Sequence, residues 1–398
     1  MSEIYVGRQP VLDNDMKVFA YEIEFKQKIK VNADTVADTS QLIEKIEEDV
    51  GFQAVVGEQN AILNFPIELT HPDHFPSFIH SNVIVQIPNN VIKNLEVLRN
   101  LREAKSQGMG IVLDNYIGDE SSQKLANICD YVKVNVAEHS EVKLKEIVQD
   151  LHAMDLYVIA NQVETEEMFH YLVKLGFDYF QGYFFTNPLM INGTKLSGNK
   201  LTLLHLIAKV NSPDTKFAEL SEIISQDVAL SHKLLVAINN PASLLPTRVD
   251  SIAEALKYMG LKRLKFWVNM LLLSGMDNAP QELIITSLMR AKFCEMIADS
   301  SGRNAQRDTY FLIGLFSNLG AFFRVPIEEV VAEMPLTQEV EQALIYRVGE
   351  LGKTLRLLEY LEQASDMLMS LEIDNVGVDE VSHHFMAASA WAQTVVKD

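Results

Sequence analysis

The chain has 398 residues, 48% of them apolar, and carries 54 Asp and Glu against 34 Lys and Arg. This length and apolar content predict two domains, and the formal net charge of −20 argues against a nucleic-acid polymer as a partner. The two cysteines stand in apolar segments and no apolar run is long enough to cross a bilayer, so we expect a cytoplasmic protein without a membrane partner.

From residue 1 to about 190, short runs rich in β-branched and aromatic residues alternate with longer segments at helical spacing. Eight such runs predict strands, namely IYVGRQPVL, KVFAYEIEF, AILNF, VIVQIP, GIVLDN, YVKVNV, LYVIAN and FDYFQGYFF. Parallel strands joined by helices favour a (β/α)8-like barrel, whose functional groups lie at the carboxyl ends of the strands. A doubly wound open sheet is the alternative that the same alternation leaves open.

After Pro188 the stretch MINGTKLSGNK contains Gly, Asn and Ser with little apolar content, which predicts a linker over 191–200. From Leu201 onward, apolar residues recur at three-and-four spacing, with Gly, Pro or Asn at the breaks. The sequence therefore predicts an α/β barrel domain over 1–190 and an all-α domain over 201–398.

Acidic and amide side chains fall at or near the ends of successive predicted strands, where the side chains of a barrel converge on one cleft. They are joined by one lysine, and the set is Glu22, Asn64, Gln86, Asp114, Asn115, Lys133, Glu164 and Gln181. Clustered oxygen ligands are typical of Mg²⁺ or Mn²⁺ sites, and two metals with a lysine suit in-line hydrolysis of a phosphodiester.

The order of these residues resembles the EAL phosphodiesterase family, whose members linearise cyclic-di-GMP with two divalent metals. Arg8-Gln9-Pro10-Val11 resembles the family's opening QP motif, and residues 21–26, YEIEFK, stand in place of its Glu-Ala-Leu-x-Arg signature. The resemblance implies an EAL-type barrel and three groups of site residues. They are metal ligands at Glu22, Asn64, Gln86, Asp114 and Asn115, catalytic residues at Lys133 and Glu164, and nucleotide-binding residues at Gln9, Lys26 and Gln181.

Departures from the EAL pattern fall on acidic positions of the site. Gln86 replaces a metal-binding glutamate and Asn115 replaces the second aspartate of the DDFG loop. Asn135 replaces the aspartate two residues after the lysine, and Asn161 replaces the first glutamate of the EGVE motif. Each change removes a negative charge facing a dication, and two unit charges about 4 Å apart interact by about 4 kcal/mol at an effective dielectric constant near 20. We therefore expect the second metal to be lost and hydrolysis to be absent or weak.

The helical half resembles the HDOD family, which is related to metal-dependent HD hydrolases. The resemblance is carried by ISQD at 224–227 with the helix after it, by IAEALKYMG at 252–260 and by FLIGLFSNLG at 311–320. The paired His-Asp that binds metal in HD hydrolases reads Ser317-Asn318 here, and a hydroxyl and an amide are poor substitutes for an imidazole and a carboxylate. We expect an HDOD domain that is a metal-free interaction module.

Taken together, the two halves of the chain resemble the YuxH-like EAL–HDOD family, and the resemblance extends over almost the whole chain. The leading hypothesis is a bacterial signal-transduction protein, a cyclic-di-GMP-related sensor or adaptor whose HDOD domain contacts another signalling protein, with a homodimer possible. The second hypothesis is an active phosphodiesterase that uses Mg²⁺ or Mn²⁺ to hydrolyse cyclic-di-GMP to linear pGpG. A purely structural interaction protein is the third.

Overall fold

The structure is a computed structural model that contains an eight-stranded barrel and a set of helices. The residues that it describes are 4–27, 52–64, 82–89, 95–106, 108–186, 198–211, 215–239, 249, 251–274, 279–334, 336–363, 365, 367–368, 373 and 375–397.

Eight strands close into a barrel in chain order. They are β1 Ile4–Leu12, β2 Val18–Gln27, β3 Asn60–Asn64, β4 Val83–Ile87, β5 Gly110–Leu113, β6 Tyr131–Asn135, β7 Tyr157–Asn161 and β8 Tyr179–Gln181. Because the sheet is closed, the barrel prediction is confirmed and the doubly wound open sheet is excluded.

Strand β1 runs antiparallel to both of its neighbours, β2 and β8. The other strand pairs are parallel, as the alternation with helices predicted. A parallel β1 was the wrong expectation, because β1 and β2 are joined by a short turn over residues 13–17 and a tight turn connects antiparallel strands. The Asp13 carboxylate stabilises this turn by accepting hydrogen bonds from the backbone N–H groups of Asp15 and Lys17, each at 2.9 Å.

The helices described in the barrel half are α1 Phe52–Val56, α2 Leu95–Ser106, α3 Glu120–Ala126, α4 Glu141–His152 and α5 Glu166–Leu175. Local interactions define both ends of α5. The Thr165 hydroxyl accepts from the Met168 N–H at the start of α5, and Gly176 ends that helix in the left-handed conformation that glycine adopts without a Cβ clash.

The inside of the barrel is filled by apolar residues from alternate strand positions. They are Val11, Ala20, Ile62, Ile84, Val112 and Ile159. Aromatic rings from the amino-terminal ends of the strands lie beneath them, where Phe19 stacks on Tyr179 with ring centroids 4.0 Å apart. Because this interior is packed, polar chemistry is confined to the opposite end, where the parallel strands finish.

The second half of the described chain is built from helices, which confirms the all-α prediction. They are α6 Gly198–Asn211, α7 Phe217–Gln226, α8 Val228–Ile238, α9 Ile252–Ser274, α10 Gln281–Ser300, α11 Arg307–Phe316, α12 Leu319–Phe323, α13 Ile327–Ala332, α14 Gln338–Tyr346, α15 Gly349–Glu362 and α16 Val378–Lys397. Helix α9 is broken at Gly260, whose φ of 69° and ψ of 162° are not helical.

The start of α6 bears on the predicted linker. Since α6 begins at Gly198, residues 198–200 are helical rather than extended linker. Residues 187–197 lie outside the described residues, so the linker and the domain boundary stay predictions. Within the described segments, no helix combines the length and apolar character needed to cross a membrane.

The helical half packs against the barrel on the side of β1 and β2. The backbone N–H of Val6 in β1 donates to the Ser382 hydroxyl of α16 at 3.1 Å. Gly7 allows α15 to approach closely, because a Cβ at Gly7 would lie only 2.4 Å from the carbonyl oxygen of Leu361. The two halves are therefore in direct contact along the strand that carries the first predicted site residue, Gln9.

A second contact between the halves is an ion pair. Both terminal nitrogens of Arg324, which lies between α12 and α13, donate to the carboxylate of Glu166 at 3.0 and 3.1 Å. Glu166 is buried at the first position of α5, so this bidentate pair fixes a barrel helix to the helical half.

Candidate functional site

Five of the predicted site residues meet at the end of the barrel where the parallel strands finish. Residues next to one another on a strand point to opposite faces, so register decides which side chains can meet. Gln9 of β1 lies opposite Glu22 of β2, and Asn64 of β3 lies opposite Gln86 of β4. Gln181 is the last residue of β8, beside Val11 of β1.

Lys133 is the centre of this group. Its ammonium donates to Glu22 Oε2 at 2.7 Å and to Gln86 Oε1 at 2.6 Å. The three side chains are between 1% and 3% exposed, so the lysine charge is balanced inside the protein rather than by water. A buried ammonium without a partner is strongly destabilising, and Glu22 supplies the compensating charge.

Gln181 extends the network to β1. Its amide nitrogen donates to Gln9 Oε1 at 2.9 Å and also donates to Glu22 Oε2. The structure thus brings Gln9, Glu22, Gln86, Lys133 and Gln181 into one hydrogen-bonded set. Two oxygens of this set, Glu22 Oε1 and Gln181 Oε1, are buried and have no hydrogen-bond partner among the described residues.

Asp114 lies half-buried directly after β5. Burial raises the pKa of its carboxyl above the ordinary 3.8, while nearby Lys133 lowers the pKa and nearby Glu22 raises it. The interaction with both groups places Asp114 beside the Lys133–Glu22 pair. A carboxyl with a raised pKa releases its proton less readily, which disfavours the ionised form that a cation would bind.

The remaining predicted residues have other surroundings. Asn115 is exposed with φ 50°, and Glu164 is exposed in the segment after β7. The amide nitrogen of Asn135 donates to Glu138 at 2.8 Å and its oxygen accepts from the Ala137 N–H, an arrangement that an aspartate could not complete. Asn161 accepts from the Gln162 N–H at 2.8 Å.

Asn135 and Asn161 therefore serve local turns, and Gln86 is the amide replacement that lies inside the buried set. The side chains of Asn64 and Lys26 lie outside what the structure describes, so their roles stay predictions.

Part of this set could supply ligands to a divalent cation. The free oxygens of Glu22 and Gln181, with Asp114 nearby, are the hard oxygen ligands that Mg²⁺ or Mn²⁺ prefers. Among the residues that the structure describes, no group of three or more His, Cys, Asp or Glu is placed to hold a metal. The hydrogen-bonded set and Asp114 together carry two carboxylates and one ammonium.

The HD-like position of the helical half contacts a buried arginine and has no metal-binding His-Asp pair. Arg290 of α10 donates through Nη1 to the Ser317 hydroxyl at 3.0 Å and to Asn318 Oδ1 at 2.7 Å. Its Nε and Nη2 donate to the two oxygens of Glu362 at 2.8 and 2.6 Å. Burial lowers the pKa of Arg290, but the negative charge of Glu362, the hydrogen bonds to it and the charge of Glu359 together raise the pKa above its ordinary value, so the guanidinium stays charged.

The sequence reasoning missed the residues on the outer face of the same strands. Arg8 and Tyr21, each adjacent to a site residue, are buried against Glu282 of α10. The available signal was strand alternation, because a polar residue next to an inward-facing site residue points outward and, if buried, requires a partner from another part of the chain.

Models of two protein domains match the chain. The EAL domain matches residues 74–188 and the HDOD domain matches residues 200–348. The chain therefore joins an EAL domain to an HDOD domain. Both resemblances drawn from the sequence are confirmed.

Two curated relatives share this EAL–HDOD architecture. The chain is 28% identical over 412 residues to the cyclic di-GMP phosphodiesterase CdgJ of Vibrio cholerae, covering 99% of this chain and 94% of that protein. It is 25% identical over 405 residues to the uncharacterised protein YuxH of Bacillus subtilis, covering 99% of each. The chain is an EAL–HDOD signalling protein related to CdgJ.

Solved EAL structures also match the barrel half. The EAL enzyme Bd1971, in its cAMP- and cyclic-di-GMP-bound form, is 15% identical with a TM-score of 0.40, over 46% of this chain and 61% of that chain. BlrP1 of Klebsiella pneumoniae, in a complex with manganese and cyclic-di-GMP, is 18% identical with a TM-score of 0.37, over 46% and 55%. This chain spans less than two thirds of either structure.

Proposed function

We propose that this EAL–HDOD protein is a cyclic-di-GMP receptor whose barrel binds the nucleotide with one divalent cation and hydrolyses it slowly or not at all. Its HDOD domain passes the bound state to another signalling protein. One observation carries the proposal: the Lys133 ammonium is held between Glu22 and Gln86, two of the expected metal ligands.

The charge in the described cleft supports one cation rather than two. Glu22 and Asp114 contribute two negative charges when ionised, and Lys133 contributes one positive charge. A glutamate in place of Gln86 would add a second carboxylate beside the ammonium. Without that carboxylate, a dication loses an attraction of about 8 kcal/mol at 4 Å and an effective dielectric constant near 20, before the contribution of the amide dipole. In-line hydrolysis with two metals needs both ions, one to generate the nucleophile and one to stabilise the leaving oxygen.

The choice of ligand rests on the polar residues and on the relative. Gln9 and Gln181 supply amide groups. Glu22 and Gln181 each have one buried oxygen without a hydrogen-bond partner among the described residues. This mixture of donors and acceptors suits a nucleotide. CdgJ, which is similar over nearly the whole chain, is named a cyclic di-GMP phosphodiesterase. With both carboxylates ionised, a single bound dication would change the net charge of Glu22, Asp114 and Lys133 from −1 to +1, which suits an anionic phosphodiester.

The proposed role of the HDOD domain rests on its HD-like position. Ser317 and Asn318 each accept a hydrogen bond from Arg290, which is in turn neutralised by Glu362, and they donate to Gly314 and Ser287. These residues stabilise the helical core, which supports a domain that works by contact with a partner rather than by catalysis.

Titration calorimetry with cyclic-di-GMP tests the receptor. We expect saturable binding by the full chain in Mn²⁺, weaker by about tenfold or more in EDTA, and one Mn²⁺ site per chain by electron paramagnetic resonance. Glu22→Gln should abolish the Mn²⁺ site, whereas Glu146→Gln, on the exposed face of α4, should leave it intact. Two Mn²⁺ per chain, or equal affinity in EDTA, would contradict the single-cation site, and no binding in either buffer would contradict the receptor.

A working phosphodiesterase is the second candidate, and the relation to CdgJ favours it. The chain keeps Glu22, Asp114 and Lys133, three residues that the EAL resemblance places in the active site. Turnover of cyclic-di-GMP separates the two candidates.

A further inference from the structure

The strands that carry the site residues also carry the contact with the HDOD domain. On β1, Gln9 belongs to the site while its neighbour Arg8 faces the helical half, and on β2 Glu22 belongs to the site while its neighbour Tyr21 faces the helical half. Gln9 and Glu22 are also paired across the two strands. A movement of either strand therefore displaces a site residue and an interface residue together.

The interface side of these strands forms a buried polar cluster, which we call the interface cluster: Arg8, Tyr21, Glu282, Thr286 and Gln393. Tyr21 donates to Glu282 Oε2 at 2.5 Å and accepts from the Gln393 amide at 2.9 Å. Arg8 lies 3.5 Å from Glu282 Oε1, which also accepts from Thr286 at 3.3 Å. None of the five side chains is exposed by more than 9%.

The same cluster is tied to the barrel wall. The Arg8 guanidinium lies over the Tyr21 ring, 4.1 Å from its centroid, and donates to the carbonyl of Val55 at 3.0 Å. Burial, and then the negative charge of Glu282, raise the pKa of Tyr21 well above its ordinary value, so its hydroxyl remains a donor to Glu282. Polar groups that satisfy one another in this way leave few alternative arrangements.

A third strand contributes through its end. Gln181 belongs to the site, and two residues later the Tyr183 hydroxyl donates to the backbone carbonyl of Arg8 at 2.7 Å. Gly182 between them has φ 148° and leaves no room for a Cβ, which would lie 1.9 Å from the carbonyl oxygen of Val163. The segment is thus held tightly at both the site and the interface.

We propose that ligand binding in the barrel is coupled to the packing of α10 and α16 of the helical half through Arg8 and Tyr21. The coupling rests on the proposed function for its ligand. It assigns the interface cluster as the structural connection between the ligand-bound barrel and the helical half. A close-packed interior transmits small displacements instead of absorbing them. Coupling between two sites is reciprocal, so a change in the packing of the interface cluster should also alter ligand affinity.

Hydrogen exchange on the full chain without nucleotide tests the coupling from the site side. Gln9→Asn and Glu22→Gln should each speed exchange in the first turns of α10 and the last turns of α16 by about three- to thirty-fold. Asp114→Asn, a change in the same cleft directly after β5, which bears no residue of the interface cluster, should leave exchange in those helices unchanged relative to exchange in α4. Exchange in α4 serves as the internal reference for overall loosening.

Cyclic-di-GMP affinity in Mn²⁺ tests the coupling from the interface side. Glu282→Gln, which removes the charge that faces Arg8, should change the affinity by about three- to thirty-fold, whereas exposed Glu328→Gln should not. Unchanged α10 and α16 exchange in both Gln9→Asn and Glu22→Gln, or an equal response in Asp114→Asn, would overturn the coupling. A wild-type chain that binds no nucleotide would instead overturn the proposed function and leave the exchange result to decide the coupling.

Discussion

At the scale of single residues, Asp114 shows how burial controls the charge of the cleft. Because burial raises its pKa in the folded protein, the folded state keeps a proton that the unfolded chain loses near pH 3.8. The folded state therefore binds more protons in this window, and stability falls as the pH rises through the folded pKa. The penalty is absent below pH 3.8 and fully present once Asp114 is ionised in both states.

Asp114→Asn should remove this penalty. The variant should unfold at a higher urea concentration than the wild type at about pH 7, and the difference should shrink as the pH falls to about 4. Urea unfolding at the two pH values checks the prediction. A variant that is less stable at neutral pH would mean that attraction to Lys133 outweighs burial at this carboxyl.

Residue order along the chain was enough to predict the centre of the site. Glu22, Gln86, Lys133 and Gln181 were all expected at strand ends, and they form hydrogen bonds to one another. The local roles of Asn135 and Asn161 were not predictable, because a backbone turn competes for an amide in ways that sequence spacing does not reveal. Glu282 could not be predicted as a partner of Arg8, since the two are brought together only by packing of the two halves.

At the scale of elements, the segment that follows β8 depends on a glycine. Gly182 combines a φ of 148° with a position where a Cβ would lie 1.9 Å from the Val163 carbonyl oxygen. Neither the strain nor the clash can be relieved without moving Gln181 or Tyr183, which contact the site and β1.

Gly182→Ala should therefore destabilise the protein by about 2–4 kcal/mol and weaken ligand binding. Gly108→Ala is the matched control, because Gly108 has φ 92° but nothing within 4 Å of an added Cβ, so it should cost about 1–2 kcal/mol from strain alone. Denaturant unfolding of both variants measures the difference. Equal losses would show that the clash with Val163 is relieved without cost.

Element positions were well predicted where periodicity was strong. The strand runs and the helix Leu95–Ser106 agree with the structure. The direction of β1 was not predicted, because an apolar run has the same pattern in either direction and the short turn at 13–17 was the deciding feature. The apolar spacing over 340–364 predicts one continuous helix, but Arg347 has φ 57°, so α14 ends before it and α15 begins after it.

At the scale of the whole molecule, the two domains are joined by a buried interface. Limited proteolysis should cut between about 189 and 197, where the sequence predicts a linker before the start of α6. Because Arg8, Tyr21 and Glu282 are buried between the halves, we expect the two fragments to remain together on gel filtration. Fragments that separate would contradict a stable interface, and cuts only within the barrel or the helical domain would contradict the boundary.

The most direct test of a receptor with one cation is turnover. The full chain is incubated with saturating cyclic-di-GMP and Mn²⁺, and linear pGpG is measured by chromatography. We expect a rate far below about 1 per second, and a higher rate after Gln86→Glu, Asn115→Asp and Asn161→Glu together return three carboxylates. Wild-type hydrolysis at about 1 per second or more would show that the amide ligands suffice for catalysis, and the protein would be a phosphodiesterase rather than a receptor.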